Sequence, residues 1–217
     1  LGQPAVLPIQ DKYAEYGVDF GQEAGVFAAD IAAPFAQTER TSGWYPVPDA
    51  RNFMRTTRQR YDVIVFGDDL GAQMSPQISP RMYREFFKPR HAKLWRRAKE
   101  LAPVKVMLHC CGGVRELLDD LIDAGLDAIN PVQITCRGMD PAGLKKDFGQ
   151  QLTFWGGGCD TREVLSKGTP QQVRENVQQL LKIWRPGGGY VFQQVHNIMA
   201  DVPPANIVAM YDAVHAA

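Results

Sequence analysis

Short runs of β-branched and aromatic residues alternate with longer segments of helical period from position 61 to the end of the chain. Each short run ends in glycine or polar residues, which is typical of strands in parallel βα units. The pattern predicts five strands: Tyr61–Phe66, Val104–His109, Ala128–Pro131, Leu152–Trp155 and Tyr190–Val195. Strands that alternate with helices in this way place the chain in the α/β class.

Apolar spacing and capping residues predict the intervening helices. From Val114 to Ile122 the apolar side chains recur at the spacing of one helix face, and Gly125 suits a left-handed stop. Gln172 forms a capping box with Thr169. Four helices are expected to start at a proline in the first turn: Ser79-Pro80, Asp140-Pro141, Thr169-Pro170 and Pro203-Pro204. Pro89 is expected to kink or restart the first of them.

Hydrogen-bonding and reactive residues follow every predicted strand at its carboxyl end. They are Asp68, Asp69, His109, Cys111, Asn130, Gln133, Cys159, Asp160 and His196. Barrel enzymes collect their active sites from the ends of several strands in this way. An open doubly wound sheet would concentrate its chemistry at one switch point, usually after a G-x-G-x-x-G turn, and no such turn follows a strand here. The sequence therefore favours a (β/α)₈ TIM barrel.

The first 60 positions differ in kind from the rest. They are rich in Gly, Pro and Ala, with a modest helical pattern at 26–31 and a turn-like stretch at 43–49. A barrel of this class takes about 250 residues, whereas this chain has 217 and begins at Leu1 without a methionine. We expect an irregular N-terminal portion at 1–60 and a barrel domain at 61–217. The barrel domain would hold only the C-terminal five or so βα units of a larger protein.

Composition and charge narrow the class of partner. Hydrophobic residues make up 45% of the chain, which excludes disorder, and 24 basic against 24 acidic residues give no net charge to attract nucleic acid or anionic membrane. No apolar stretch approaches the roughly 18 residues of a membrane span, and no secretion signal is evident. Four cysteines do not make a disulfide framework. We expect a cytoplasmic protein with reduced thiols, whose partners are small molecules or other proteins.

Three residues have the type and placement of zinc ligands. Alternation along the strand directs His109 and Cys111 to one face, and barrel closure can bring Cys159 to the same mouth. One histidine and two cysteines form the ligand set of a catalytic zinc that keeps its fourth position open. The alternative is that the cysteines are buried hydrophobes, as we expect for Cys110. Cys136 lies in a predicted loop, and we expect no chemical role for it. The shared position at strand ends favours the metal.

Several segments carry a family resemblance: 66–71 (FGDDLG) with 78–80 (ISP), 109–112 (HCCG), 156–161 (GGGCDT), and 195–198 (VHNI) followed by 201–207 (DVPPANI). In this order they resemble the uroporphyrinogen decarboxylase superfamily, which has a TIM barrel fold and includes zinc-dependent cobalamin (corrinoid) methyltransferases. The resemblance implies zinc at His109, Cys111 and Cys159. It also implies methyl transfer between a small thiol, methoxy or alcohol compound and a corrinoid cofactor on a partner protein.

The other polar residues at the strand ends receive more general roles. Asp68 and His196 are the candidate catalytic residues, as an orienting carboxylate and as an acid or base. For each of them the alternative is a structural role, such as a cap, a solvated loop position or an anchor for a turn. The candidate substrate-binding residues are Asp69, Asn130, Gln133 and Asp160.

Two other functions stay open. A uroporphyrinogen decarboxylase would remove carboxylates from a porphyrinogen without metal, although the arginine-rich motif of such enzymes is not evident in residues 1–60. The third interpretation is a non-catalytic corrinoid- or metal-binding fragment. The partners expected are a small-molecule methyl donor or acceptor, a corrinoid protein and a second copy of the chain in a homodimer; nucleic acid and membrane are not expected.

Overall fold

The computed structural model describes residues 62–217, where five strands form one parallel sheet. The strands are β1 (Val63–Gly67), β2 (Lys105–His109), β3 (Ala128–Asn130), β4 (Thr153–Trp155) and β5 (Tyr190–Val191). Their order in the sheet is their order in the chain, and each adjacent pair is parallel. With helices between the strands, this is a partial (β/α) barrel, so the predicted fold class is confirmed.

Six α-helices lie in the described range: α1 (Pro80–Met82), α2 (Lys88–Leu101), α3 (Leu118–Asp123), α4 (Pro141–Phe148), α5 (Pro170–Trp184) and α6 (Pro204–His215). The predicted starts at Ser79, Asp140 and Thr169 are confirmed, because each of these side chains accepts a hydrogen bond from the backbone of the first turn. Thr169 and Gln172 form the complete capping box. Local sequence signals therefore determine where these helices begin.

Pro89 lies inside a helical stretch that runs from α1 into α2. Its ring nitrogen cannot donate to the carbonyl of Glu85, and the turn directly before it, Tyr83–Phe87, is π-helical. The Lys88 N–H correspondingly donates to the Tyr83 carbonyl, five residues back. The expected kink therefore takes the form of a π-helical turn.

The helix after β2 begins later than its apolar pattern predicts. A 3₁₀ turn, Arg115–Leu117, precedes α3, and Val114 lies before both. Gly125 ends the segment with a φ of 105°, in the left-handed conformation expected of it.

The fifth strand is shorter than predicted. It ends at Val191 rather than Val195, because its partner β4 ends at Trp155 and Gly156 then turns the chain with a φ of 130°. Residues beyond Val191 keep only irregular pairing, such as the bond from the Gly158 N–H to the Gln193 carbonyl at 2.8 Å.

The predictions for residues 1–60 lie outside the described residues, together with the first residue of the predicted strand, Tyr61. Within 62–217, no helix is both long and apolar enough to cross a membrane.

Strand register separates two faces of the sheet. Leu108, Ile129 and Phe154 are in register, are buried and belong to the face that the helices cover. Phe154 lies 4.8 Å from the Trp184 ring of α5, measured between ring centroids. His109 and Asn130 are the next register pair, and alternation places them on the opposite face at the carboxyl ends of β2 and β3. This face carries the candidate site.

Candidate metal centre at the carboxyl ends of the strands

Three potential ligands converge where β1 and β2 end. The donor atoms of Asp69, His109 and Cys111 all lie within 4.8 Å of one another. The Cys111 Sγ is 3.4 Å from the His109 Nε2. Zinc bonds of about 2.3 Å to sulfur and about 2.0–2.1 Å to nitrogen, at a tetrahedral angle, separate these two atoms by about 3.6 Å. The N, S and O donors and their spacing therefore fit a zinc ion.

Asn130 determines which nitrogen of His109 faces the cluster. Its amide nitrogen donates to the Trp155 carbonyl at 2.9 Å and to the Gln193 Oε1 at 2.8 Å, which directs its Oδ1 at the His109 Nδ1, 2.7 Å away. Because this oxygen only accepts, Nδ1 donates to it, and in the neutral imidazole Nε2 then presents its lone pair to the cluster. A second hydrogen bond of this kind is typical of histidines that bind metal.

The Cys111 thiol is held in its protonated form by its surroundings. Burial raises the pKa of this half-buried thiol to about 11, and the nearby Asp69 carboxylate adds to the effect. The Cys111 N–H donates to the Asp69 Oδ1 at 2.8 Å, which joins the loops after β1 and β2. A divalent cation at this cluster would replace the thiol proton and offset the charge of the carboxylate.

Two glycines allow the same loops to approach closely. A Cβ at Gly112 would lie 2.3 Å from the Gly71 carbonyl carbon, and a Cβ at Gly71 would lie 2.5 Å from the Cys111 carbonyl oxygen. Gly112 also has a φ of 88°, which L side chains rarely adopt. Glycine at both positions is therefore required for Asp69 and Cys111 to share one site.

Cys159 does not join this cluster in the structure. Its side chain is fully buried in an apolar cluster with Leu165, Val173 and Met210, contributed largely by α5 and α6. Burial raises the pKa of its thiol to about 12. The assignment of Cys159 as a ligand stays a prediction, and the third potential donor beside His109 and Cys111 is the Asp69 carboxylate.

The candidate substrate-binding residues have different positions. Asn130 is buried and orients His109, and Asp160 caps the π-helical turn Thr161–Leu165 by accepting from the backbone N–H groups of Arg162 and Glu163. The Gln133 Oε1 accepts from the Gly112 N–H at 2.5 Å, one residue after Cys111 in the cluster of potential ligands. Of the four candidates, only Gln133 also lines the open space beside this loop.

That space is a cleft of about 360 Å³ next to the cluster. His196, the other candidate catalytic residue, is exposed along this cleft and has a φ of 114°. A non-glycine residue in this conformation is strained, and such residues often belong to functional sites. Polar side chains along the cleft include Gln133, Arg162, Glu163, Lys167, His196 and Asp201.

Asp68 turns toward the helices rather than toward the cluster. Its Oδ2 lies 2.8 Å from the Nε2 of His91, and the His91 Nδ1 lies 3.0 Å from the Tyr83 hydroxyl. The sequence analysis missed both partners. Their signal was an aromatic stripe at four-residue spacing: Tyr83, Phe87, His91 and Trp95.

Comparison with known protein families identifies the family to which the described βα units belong. The family described as uroporphyrinogen decarboxylase (URO-D) matches residues 60–217. The chain belongs to the URO-D family. The resemblance seen in the sequence motifs is thereby confirmed.

Curated relatives of this URO-D family chain carry the name uroporphyrinogen decarboxylase. The protein of Psychromonas ingrahamii is 30% identical over 141 residues, which cover 64% of this chain and 38% of the relative. That of Legionella pneumophila (strain Corby) is 30% identical over 139 residues, covering 64% and 37%. That of Nitrosococcus oceani is 28% identical over 141 residues, also covering 64% and 37%. The chain thus spans less than half the length of these relatives.

A solved structure shares the fold of the URO-D family chain. It is the methyltransferase from Methanosarcina mazei, which aligns with a TM-score of 0.56 at 21% sequence identity. The alignment covers 71% of this chain and 42% of that one. At this level of identity the likeness shows the barrel fold and nothing about the reaction.

Proposed function

We propose that this URO-D family chain belongs to a zinc-dependent methyltransferase. Its reaction exchanges a methyl group between a small thiol, methoxy or alcohol compound and a corrinoid co-substrate held by a partner protein. The observation that carries the proposal is the convergence of His109 Nε2, Cys111 Sγ and the Asp69 carboxylate within 4.8 Å. The corrinoid partner is inferred from the resemblance of the HCCG and GGGCDT segments to the methyltransferases of the superfamily.

The metal would be held by His109, Cys111 and a third donor. We assign Asp69 as this donor because its carboxylate is already in the cluster, whereas the Cys159 thiol is enclosed by apolar side chains. Three protein ligands leave a fourth position for the substrate, as in catalytic zinc sites. When bound, zinc supplies a Lewis acid that stabilises the anion of a thiol or alcohol.

The remaining residues would bind and orient the substrate. Gln133 lines the cleft and accepts from the Gly112 N–H beside the cluster, so we expect a substrate in the cleft to reach the metal position past this side chain. His196 faces this cleft and has the chemistry to exchange a proton with the substrate heteroatom. Asn130 accepts from the His109 Nδ1 and so directs Nε2, the nitrogen that would bind the metal, toward the cluster.

The first experiment measures metal content and methyl transfer together. Purified protein is expected to hold about one zinc per chain by the three-ligand argument. Asp69→Asn, which keeps the size of the side chain and removes its charge, is expected to weaken zinc binding. Methylcorrinoid demethylation with thiol and alcohol acceptors tests the reaction. Folded wild-type protein that binds no zinc would contradict the proposal.

A second candidate is uroporphyrinogen decarboxylation, which the names of the curated relatives favour. The two functions differ in their need for metal. Porphyrinogen decarboxylation that persists in the presence of a strong chelator, without methyl transfer, would replace the first proposal with the second. Zinc binding without either reaction would favour the metal-binding fragment.

A further inference from the structure

A buried chain of hydrogen bonds connects the helices to the loop after β1. The Tyr83 hydroxyl is 3.0 Å from the His91 Nδ1, and the His91 Nε2 is 2.8 Å from the Asp68 Oδ2. The Tyr83 side chain is fully buried and His91 is 6% exposed, whereas the Asp68 side chain is 45% exposed. This series of hydrogen bonds thus runs from the interior of the protein to the rim of the candidate site.

When the His91 imidazole is neutral, the two hydrogen bonds allow only one assignment of donors and acceptors. The Asp68 carboxylate accepts, so the His91 Nε2 carries the proton and donates it. The His91 Nδ1 then accepts from the Tyr83 hydroxyl. The Trp95 ring stacks on the imidazole, with a centroid distance of 4.5 Å and an interplanar angle of 17°. Both hydrogen bonds and the stacking therefore fix the orientation of His91.

Asp68 and Asp69 are adjacent in the loop after β1, but their side chains contact different parts of the molecule. The Asp68 carboxylate binds His91, while the Asp69 carboxylate binds the Cys111 N–H beside the cluster. The Asp68 N–H also donates to the His109 carbonyl at 3.0 Å, continuing the pairing of β1 with β2. Holding the Asp68 side chain therefore restricts the direction in which the exposed Asp69 side chain leaves the backbone.

We propose that Tyr83 and His91 are positioning residues for the metal centre. They anchor Asp68, and through it the loop, so that the Asp69 carboxylate faces His109 and Cys111. The inference rests on the proposed function, because it requires a metal ion at this cluster. An apolar side chain at position 91 would pack equally well among the surrounding aromatic rings. A buried histidine needs two hydrogen bonds to offset the cost of its desolvation, so packing alone does not explain a histidine here.

The test compares metal affinity in four variants of the full chain. His91→Leu removes both hydrogen bonds and is expected to weaken zinc binding by about 10- to 100-fold, the usual effect of losing an outer-shell partner. His91→Gln keeps an N–H donor near the Nε2 position and is expected to recover most of this loss. Tyr83→Phe keeps the ring, removes the hydroxyl and is expected to cause a smaller loss of affinity.

Asp120→Ala is the matched control. The Asp120 carboxylate accepts from Arg84 Nε and Lys88 Nζ, both at 2.8 Å, and so ties the same helical stretch to α3 without contacting Asp68. This variant is expected to lower stability and to leave the affinity for zinc unchanged. Equal loss of affinity in Asp120→Ala and His91→Leu would overturn the inference in favour of general helix packing.

Cobalt(II) substitution gives a second readout. The thiolate-to-cobalt absorption reports Cys111 and should persist in His91→Leu, while the ligand-field bands should change as the carboxylate is lost. Unaltered affinity and unaltered bands in both His91→Leu and Tyr83→Phe would overturn the inference. If His91→Leu does not fold, unaltered affinity in Tyr83→Phe is sufficient to do so. Absence of metal binding in the wild-type protein would instead contradict the proposed function.

Discussion

Two cysteines at the carboxyl ends of strands lie in opposite surroundings. Cys111 is half-buried after β2, with the His109 Nε2 at 3.4 Å and the Asp69 carboxylate in the same cluster. Cys159 is fully buried after β4, among apolar side chains of α5 and α6. Both cysteines follow a strand of a βα unit, yet Cys111 lies beside other potential metal ligands and Cys159 is packed among apolar side chains.

The difference shows that a strand end alone does not make a ligand. Burial raises the pKa of both thiols, to about 11 for Cys111 and about 12 for Cys159, so neither is an anion at neutral pH without a cation. What distinguishes Cys111 is a histidine nitrogen and a carboxylate close enough to share a metal ion.

Replacing each cysteine by serine tests this comparison. Of the changes considered, Cys111→Ser is expected to have the largest effect, on zinc affinity. Cys111→Ser should lower zinc affinity by more than about 100-fold, because a direct ligand is lost and outer-shell changes already cost about 10- to 100-fold. Cys159→Ser should keep the metal and lose about 1–3 kcal/mol of stability, because it buries a hydroxyl among apolar groups. Metal analysis and urea unfolding measure the two effects. Equal loss of zinc in both variants would place Cys159 in the ligand set.

Substitutions at two glycines, one in the loop after β2 and one at the end of β1, test the geometry of the Cys111 region. Gly112→Ala should lose about 2–4 kcal/mol of stability and weaken metal binding, because its Cβ would lie 2.3 Å from Gly71 and its φ is 88°. Gly67→Ala is the matched control, since a Cβ at Gly67 meets nothing within 4 Å. Thermal unfolding and zinc titration of the pair check the expectation. Similar behaviour of the two variants would contradict it.

The pH dependence of the free energy of unfolding above pH 9 tests the Cys159 region. It has the smallest expected effect. Because the pKa of the folded thiol is raised above 9.0, the unfolded chain releases this proton first, and the stabilisation present below pH 9 is lost as pH rises toward 12. The slope attributable to this group is about 1.4 kcal/mol per pH unit. Cys159→Ala should therefore lose stability less steeply than wild type between pH 9 and 11. Parallel curves would contradict burial of the thiol.

Most of the described fold could be predicted from local patterns. Caps at Asp140 and Thr169 and the stop at Gly125 depend on residues within one turn, so they are readable from the sequence. The early end of β5 was not predictable from its own residues, because it follows from the turn at Gly156 in the neighbouring strand.

The candidate site was predictable only where its residues are close in sequence. His109 and Cys111 are two positions apart, and alternation alone directs them to one face. Asp69 lies 40 positions before His109 and reaches it only through the pairing of β1 with β2 and the close approach of Gly71 and Gly112. Its place in the cluster could not be distinguished in the sequence from that of Asp68.

The sequence by itself determined the α/β class, the starts of the capped helices, the polar residues at strand ends and the family. These depend on period, on caps within a turn and on ordered motifs. The tertiary structure alone decided which strand-end residues meet: Asp69 joins His109 and Cys111, Asp68 joins His91, and Cys159 is enclosed by α5 and α6. The physical reason is that contacts between distant segments, and the burial that accompanies them, depend on strand register, on loop path and on the helices packed behind each strand.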